Sequence, residues 1–302
     1  MEGVADTDTS RLTQSRPTPQ IHAFFDEPTK SVSYLVADPA TGEAAVIDAV
    51  LGFDPASGRL DTAAADRIVS EARERGLSII WILETHAHAD HLSAAQHIKQ
   101  SSGASYAVGQ GIREVQTVFG PRFGAADLKP DGGDFDRLLD DGDVLPLGEL
   151  EIEVIATPGH TPACVSYRIV DAVFVGDTMF MPDYGTARCD FPGGDARQLY
   201  RSMHRILALP RETRLFTCHD YKAPGRDVFA WETTVGEQVD HNVHIGGGVG
   251  EDAYVAMRQA RDATLNVPKL LHPAIQVNIR GGRLPPAEAN GVVYLKIPLT
   301  LS

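Results

Sequence analysis

The chain of 302 residues is 43% hydrophobic and 23% charged, a composition typical of folded globular proteins and not of disordered ones. Its 41 acidic and 27 basic residues give a formal net charge of −14, which argues against nucleic acid and anionic membranes as partners. No segment approaches the roughly 18 to 20 consecutive apolar residues of a membrane-spanning helix, and the polar segment 1–20 does not resemble a secretory signal. Three scattered cysteines are too few for a disulfide framework, so we expect a cytoplasmic protein.

The first half of the chain is predicted to alternate short apolar strands with amphipathic helices. Residues 1–19, rich in Thr, Ser, Asp and Pro, are expected to form a loose tail ahead of a single domain at 20–302. Segment 52–60 contains two glycines and a proline, which predicts a loop. The other predicted elements of this half are strands at 32–36, 44–47 and 79–83 and helices at 62–75 and 92–100.

The second half repeats the arrangement, with polar residues after each strand. The predicted elements are strands at 151–156, 164–170, 172–175, 214–217 and 292–297 and helices at 196–207 and 252–266. A C-terminal extension of the domain is expected from about residue 246. This pattern predicts an α/β fold of the αββα sandwich type, in which two mixed sheets face each other and helices cover the outside. The polar strand ends would then meet along one edge.

A dense group of potential metal ligands follows the strand predicted at 79–83. Four such side chains fall within six residues: His86, His88, Asp90 and His91. Imidazole and carboxylate together suit zinc, iron or manganese, and no thiolate is needed. His86 and His88 alternate on an extended segment and point the same way, whereas Asp90 and His91 are expected on the first turn of the following helix. One segment can therefore serve one metal ion or two neighbouring ones.

Three further strand ends carry residues of the same kind. His160 lies in the sequence Thr-Pro-Gly-His-Thr-Pro, whose prolines stiffen the loop and whose glycine permits a tight bend. Asp177 follows the strand at 172–175, and His219 follows the strand at 214–217. A single histidine after a strand is most often a capping or surface residue. Four such elements together predict a metal centre at the sheet edge.

The order of these residues resembles the seven-ligand motif of the metallo-β-lactamase superfamily over about residues 20–240, and this resemblance implies the αββα fold. The segments Gly-Thr-Ala-Arg-Cys-Asp-Phe at 185–191 and Cys-His-Asp-Tyr at 218–221 look like those of the persulfide dioxygenases, a branch close to glyoxalase II. The resemblance implies one Fe(II) per chain, bound by His86, His160 and Asp177, a set that leaves positions open for oxygen and substrate. The remaining motif residues then lie around the iron or line an unused second site: His88, Asp90, His91 and His219.

The same resemblance implies that glutathione persulfide, or a similar small persulfide, reacts with O₂ and water to give sulfite and the thiol. Glutathione carries two carboxylates, and Arg188 matches the position where relatives place a cation for the glycine carboxylate. Tyr221 matches the aromatic residue of the glyoxalase II glutathione site. Asp190 stands where glyoxalase II usually has an aromatic residue, and a buried carboxylate there would change the electrostatics of the pocket.

Two other functions stay open at this point. All seven ligand positions are present, so the alternative is a dinuclear zinc hydroxyacylglutathione hydrolase of the glyoxalase II type, with two metals about 3.5 to 4 Å apart. A third option is a non-catalytic sulfur-binding protein that keeps the metal. The segments 185–191 and 218–221 favour the dioxygenase. The sequence does not fix the oligomeric state, and a homodimer is one option.

Overall fold

The computed structural model describes residues 18–299, which form fifteen strands and seven α-helices within that range. The strands in chain order are β1 (Gln20–Asp26), β2 (Ser31–Ala37), β3 (Glu43–Ile47), β4 (Val50–Asp54), β5 (Arg59–Asp61), β6 (Ser78–Glu84), β7 (Leu92–Ser93), β8 (Ser105–Gly109), β9 (Arg137–Leu139), β10 (Val144–Leu147), β11 (Leu150–Ala156), β12 (Val165–Ile169), β13 (Ala172–Gly176), β14 (Arg214–Thr217) and β15 (Glu232–Thr234). The helices are α1 (Ala63–Glu74), α2 (Ala95–Ser102), α3 (Ile112–Arg122), α4 (Ala196–Leu207), α5 (Val235–His241), α6 (Glu251–Asp262) and α7 (Leu271–Asn278).

Two six-stranded mixed sheets dominate the fold. The first has the order β1-β2-β3-β6-β8-β9, with antiparallel pairing from β1 to β3 and parallel pairing from β3 to β9. The second runs from β10 to β15 in chain order and is antiparallel except for the parallel pair β13–β14. A small third sheet has the order β5-β4-β7.

The hydrophobic core has three layers because each large sheet is buried on both faces. In β2, Val32 and Tyr34 pack with residues of the second sheet, whereas Leu35 packs with residues of α1 and α2. The outer face of the second sheet packs against α4, α5 and α6. Strands covered on both faces are continuous apolar runs, which is why the sequence predicts them well. The αββα sandwich predicted from the sequence is confirmed.

The loop predicted at 52–60 is wrong, because β4 and β5 form an antiparallel hairpin there. The turn between them is tight: the Asp54 side chain accepts from the backbone of Ala56, and Gly58 adopts a left-handed φ of +70° and donates to the Asp54 carbonyl. The glycines and proline of segment 52–60 therefore indicate a short turn between two strands and not an irregular loop.

The helix predicted from residue 92 begins only at Ala95, because residues 92 and 93 pair with β4. Asp90 and His91 therefore do not lie on a first helical turn, and the loop before β7 carries them. The helix predicted at 252–266 ends at Asp262.

The strand predicted at 292–297 is also absent within the described residues. At Lys296 both backbone groups bind the Gln276 side chain on α7, at 2.8 and 2.9 Å, so a side-chain amide takes the place of a neighbouring strand. The loose tail predicted at 1–19 lies outside the described residues except for its last two positions. None of the helices described is long and apolar enough to cross a membrane.

Candidate metal centre

The predicted ligands lie together because the strands that carry them end at the same edge of the sandwich. His86 follows β6, Asp177 follows β13 and His219 follows β14. The parallel register of β13 and β14 places Gly176 beside Thr217, so the next residues of each strand are neighbours. The backbone of Val165 donates to the carbonyl of Thr85, which ties the first sheet to the second at this edge.

His86, His160 and Asp177 form one compact group. The Asp177 Oδ2 atom lies 3.5 Å from His160 Nε2 and 3.9 Å from His86 Nε2, and the two imidazole rings are perpendicular with centroids 5.2 Å apart. His160 Nδ1 donates to the Arg188 carbonyl at 2.7 Å, which leaves Nε2 as a bare nitrogen facing the group.

A relay of hydrogen bonds orients His86 in the same way. The Thr85 hydroxyl donates to Asp48 Oδ2 at 2.8 Å and accepts from His86 Nδ1 at 3.0 Å. Because Nδ1 carries the proton, His86 Nε2 presents a lone pair to the centre, where it is buried and has no hydrogen-bond partner. Asp48 itself has a left-handed φ of 53° and also accepts from the Thr85 backbone, so it fixes the loop as well as the ring.

A second group lies beside the first. His219 Nε2 lies 3.4 Å from Asp90 Oδ2 and 3.5 Å from Asp177 Oδ1, so Asp177 faces both groups with different oxygens. His91 donates from Nδ1 to the Leu92 carbonyl at 3.1 Å. Burial opposes the charge on Asp90, but the neighbouring His219 and His91 lower its pKa to about 2. Burial and the nearby His88 lower the pKa of His91 to about 4, which keeps its ring neutral.

His88 is held by two carboxylates that the sequence analysis does not identify. Its Nε2 lies 3.0 Å from Asp48 Oδ1 and 3.1 Å from Glu84 Oε2. Burial alone would lower the pKa of His88, but these carboxylates raise it well above its ordinary value. The other nitrogen, Nδ1, is buried without a partner and belongs to a group with Asp90 and His91 whose ligand atoms lie within 4.8 Å of one another.

Asn278 is a further residue that sequence reasoning misses. This residue of α7 donates from its side-chain amide to the carbonyls of His88 and His91, at 2.8 and 2.9 Å, and accepts from the Ser93 backbone. For Asp48 and Glu84 the only signal in the sequence was position, since Asp48 directly follows β3 and Glu84 is the last residue of β6. Nothing in the local sequence around Asn278 could have pointed to it, because its partners lie nearly two hundred residues away.

These residues fit a divalent metal ion. Two buried imidazole nitrogens, His86 Nε2 and His88 Nδ1, lack any hydrogen-bond partner, and an unsatisfied polar atom in the interior is costly. A metal ion in the first group would satisfy His86 Nε2, and only an ion in the second group could satisfy His88 Nδ1. The donors are nitrogen and carboxylate oxygen, a set that suits iron, zinc or manganese and does not by itself select among them.

Arg188 and Tyr221, the two predicted substrate residues, both line one large cleft of about 1450 Å³ together with His160, Asp177 and His219. The Arg188 guanidinium already binds Asp190 through two hydrogen bonds of 2.5 Å and the Asn266 carbonyl at 2.8 Å. The expectation of a buried carboxylate at Asp190 is wrong, because this side chain is 39% exposed and paired. Tyr221 is half-exposed, and its ring stacks on His219 at 5.4 Å.

The C-terminal helix α6 supports the loop that carries Arg188. Arg258 and Asp262 form a buried ion pair, in which Arg258 also donates to the Thr186 carbonyl and Asp262 accepts from the Cys189 backbone at 2.8 Å. The Arg188 carbonyl in this loop accepts a hydrogen bond from His160. Helix α6 therefore supports the position of a candidate metal ligand indirectly, through the loop.

All three cysteines are buried and none is paired in a disulfide. Burial raises the pKa of Cys164 to about 12 and raises the pKa of Cys189 and Cys218 further above the ordinary thiol value. None of them has the low pKa of a reactive thiol. Cys218 alone contacts a candidate ligand, since its Sγ donates to Asp177 Oδ1 at 2.8 Å.

The αββα fold, with histidines and carboxylates gathered at one edge, defines a metal-dependent enzyme. The model of the metallo-beta-lactamase superfamily matches residues 26–219, and the chain belongs to this superfamily. It is 53% identical to a protein named "Probable metallo-hydrolase" from Burkholderia pseudomallei, and the alignment covers 92% of this chain and 98% of that protein. It is 46% identical over 93% of its length to 97% of glyoxylase B2 of Dictyostelium discoideum.

More distant similarity links the chain to persulfide dioxygenases. It is 29% identical to the human mitochondrial persulfide dioxygenase ETHE1, over 67% of this chain and 68% of that protein. The crystal structure of ETHE1 from Myxococcus xanthus superimposes with a TM-score of 0.70 and 28% identity, covering 87% of this chain and 100% of that one. The fold and the superfamily predicted from the sequence are therefore confirmed.

Proposed function

We propose that this enzyme is an iron-dependent persulfide dioxygenase that converts a small persulfide, O₂ and water to sulfite and the corresponding thiol. The observation that carries the proposal is the group of His86, His160 and Asp177, of which His160 and Asp177 line the cleft. Two histidines and one carboxylate leave coordination positions free for two further ligands, which oxygen chemistry requires and a closed structural site does not offer. The likeness to ETHE1 over the whole length of its crystal structure supports the same choice.

The chain's own residues would prepare the site for this reaction. His86 and His160 are held as neutral rings with Nε2 toward the centre, because Thr85 and the Arg188 carbonyl engage their Nδ1 atoms. Fe(II) held by these rings and Asp177 would bind oxygen beside the persulfide, whose outer sulfur would give up the four electrons that reduce O₂ as it becomes sulfite. Phe180 and Tyr221, whose rings meet edge to face at 5.8 Å, line the cleft as an aromatic surface that excludes water from the reacting sulfur.

Arg188 would bind a carboxylate of the persulfide carrier. Its guanidinium lines the cleft and is planar, so it can accept a carboxylate through two parallel hydrogen bonds. Asp190 holds it in this fork geometry and would exchange with the substrate carboxylate. Tyr221 lies on the same cleft beside His219 and would contact the carrier between the carboxylate and the sulfur.

The second candidate is a dinuclear thioester hydrolase of the glyoxalase II type. Asp90, His91 and His219 favour it. His219 Nε2 lies 3.4 Å from Asp90 Oδ2 and 3.5 Å from Asp177 Oδ1, and Asp90 and His91 belong with His88 to a set of ligand atoms within 4.8 Å of one another. The unpartnered His88 Nδ1 favours it as well, since this atom would serve as a further ligand once it has given up its proton. The names of the more similar relatives, a metallo-hydrolase and a glyoxylase, point in the same direction.

One paired assay separates the two. Protein purified without oxygen is loaded with Fe(II) or with Zn(II), and each preparation is given glutathione persulfide and S-lactoylglutathione. Oxygen uptake with sulfite release by the iron form, and negligible thioester hydrolysis by either form, is the expected result. Thioester hydrolysis by the zinc form without oxygen uptake by the iron form would replace the proposal with the hydrolase.

A further inference from the structure

The two oxygens of Asp177 have different surroundings. Oδ2 faces His86 and His160, whereas Oδ1 lies 3.5 Å from His219 Nε2. Oδ1 also accepts a hydrogen bond from the Cys218 thiol at 2.8 Å. A carboxylate that bridges two metal ions must offer electron density on both sides. Here one side is already engaged by a donor from the protein.

The backbone holds Cys218 firmly in this position. It follows β14, whose parallel pairing with β13 brings it beside Asp177. Its carbonyl accepts from the Val32 backbone at 2.8 Å, which ties the residue to the first sheet, and its side chain is only 2% exposed. The backbone of Cys218 therefore cannot move away from Asp177 without disturbing the contact between the two sheets, and the buried thiol has little room to move.

The other two cysteines show that this contact is particular to Cys218. Cys164 bonds to Thr161, and Cys189 packs in the apolar core behind α4 and α6. Neither of these thiols contacts a candidate ligand. A second observation marks the neighbourhood as a ligand site: His86 Nε2 is buried, points at Asp177 Oδ2 and has no partner.

We propose that Cys218 is a positioning residue that sets the number of metal ions per chain to one. Its S–H group engages Asp177 Oδ1, so that Asp177 offers only Oδ2 to an ion held by His86 and His160. The group of Asp90, His91 and His219 is thereby left without the shared carboxylate that a second ion needs. The inference rests on the proposed function, because dioxygenase chemistry needs one ion with free positions and hydrolysis needs two.

The test measures metal stoichiometry and not activity alone. Metal-depleted wild type and four variants are titrated with Co(II), followed by its visible absorption, and metal content is checked after gel filtration. Cys218→Ala and the bulkier apolar Cys218→Val remove the donor. Cys218→Ser keeps a donor, and Cys189→Ala is the control for loss of a buried thiol elsewhere.

We expect the wild type, Cys218→Ser and Cys189→Ala to bind one equivalent. The two variants without a donor should bind the second equivalent roughly tenfold more tightly, the factor that one hydrogen bond to a charged group is worth. Two donor-free variants are used so that the test remains decisive if one of them folds poorly. A thermal melt identifies a poorly folded variant.

Two results would overturn the inference. One is an unchanged second-equivalent affinity in both donor-free variants. The other is a wild type that binds two ions while the donor-free variants bind one, which would make the thiol a ligand. The two proposals fail separately. A wild type that binds one ion and takes up oxygen, with unchanged affinity for the second equivalent in the donor-free variants, leaves the dioxygenase intact and removes only the role of Cys218. A wild type that binds one ion but takes up no oxygen removes the dioxygenase.

Discussion

Asp177 is the single residue on which both metal groups depend, because its two carboxylate oxygens face different histidines. Replacing Asp177 by Ala should abolish iron binding and oxygen uptake while the fold persists, since Asp177 lies after the end of β13 and not within a strand. His219→Ala should keep most of the iron, because His219 faces Asp177 Oδ1 and not the Oδ2 atom that faces His86 and His160. Metal content by elemental analysis, with circular dichroism as the check on folding, measures both. Near-full iron in Asp177→Ala would contradict the assignment.

Arg188 is expected to act on substrate affinity. Arg188→Ala should raise KM for glutathione persulfide roughly ten- to a hundredfold with a smaller change in kcat, because a charged hydrogen-bond pair that binds ground state and transition state alike appears in KM. Asp190→Asn is the matched control: it releases Arg188 from its internal partner and should leave KM unchanged or lower. A similar rise in KM for both variants would show that the Arg188–Asp190 pair serves only to fix the loop.

The candidate ligands could be predicted from the sequence because each follows a strand whose apolar run is easy to recognise. Their supports could not. Asp48 is 37 residues from Thr85, and Asn278 is 190 residues from His88, so only the folded chain brings them together. A buried carboxylate beside a motif histidine is also ambiguous in a sequence, since Glu84 reads equally well as the solvent-facing end of a strand.

At the scale of elements, α6 is expected to support the metal centre through its buried Arg258–Asp262 pair. Asp262→Ala leaves Arg258 without its counterion and frees the Cys189 backbone, which should cost about 3 to 5 kcal/mol of stability. It should also weaken metal binding roughly ten- to a hundredfold, because the neighbouring Arg188 carbonyl orients His160. Urea unfolding of the metal-free protein and metal titration measure the two effects.

The control for that experiment lies at the start of α5. Thr234 and Glu237 form a capping box there, away from the metal ligands. Thr234→Ala should cost about 1 kcal/mol, the usual value of an N-cap, with no change in metal affinity. Equal losses of metal affinity in the Thr234 and Asp262 variants would mean that general destabilisation, and not the α6 contact, loosens the site.

The connection between α5 and α6 makes stability depend on pH. Burial, with Arg258 and Arg261 nearby, lowers the pKa of His244 to about 4, and its Nδ1 accepts from the Thr186 backbone at 3.0 Å. The unfolded chain, with a histidine pKa of about 6.5, binds more protons between pH 4 and 6.5, so stability rises with pH over this range and is lost as pH falls. The urea midpoint should decrease from pH 7 to pH 5, and this decrease should be smaller for His244→Gln than for the wild type. An equal fall would assign the dependence to other groups.

Strands buried on both faces were predictable because their composition is decided locally by burial. Two elements were not predictable: the hairpin of β4 and β5 and the segment 292–297. In both cases the secondary structure depends on which partner the segment pairs with in the folded chain. The hairpin pairs with β7 next to the metal motif, and the C-terminal segment meets a glutamine side chain where a strand would otherwise lie. Apolar composition alone distinguishes neither case.

For the whole molecule, the acidic surface should repel an anionic substrate, whereas the cations of the cleft should attract it. The chain carries −14 overall, yet four cations line the cleft and form no ion pair within the described residues: Arg59, Arg67, Arg261 and Lys269. The cleft is lined by seven basic and five acidic side chains, so it keeps a small excess of positive charge. Salt screens charges beyond about 10 Å at 0.1 M, so this nearby excess should outweigh the dispersed acidic surface for an anionic substrate.

We therefore expect kcat/KM for glutathione persulfide to fall as salt rises from 20 to 200 mM, on the order of a few fold. The double variant Arg261→Gln with Lys269→Gln should lower kcat/KM at low salt and flatten this dependence, while leaving iron content unchanged. Arg113→Gln, outside the cleft, is the control for loss of a surface cation. A kcat/KM that rises with salt would show that repulsion by the acidic surface governs the approach of the substrate, since screening would then speed association instead of slowing it.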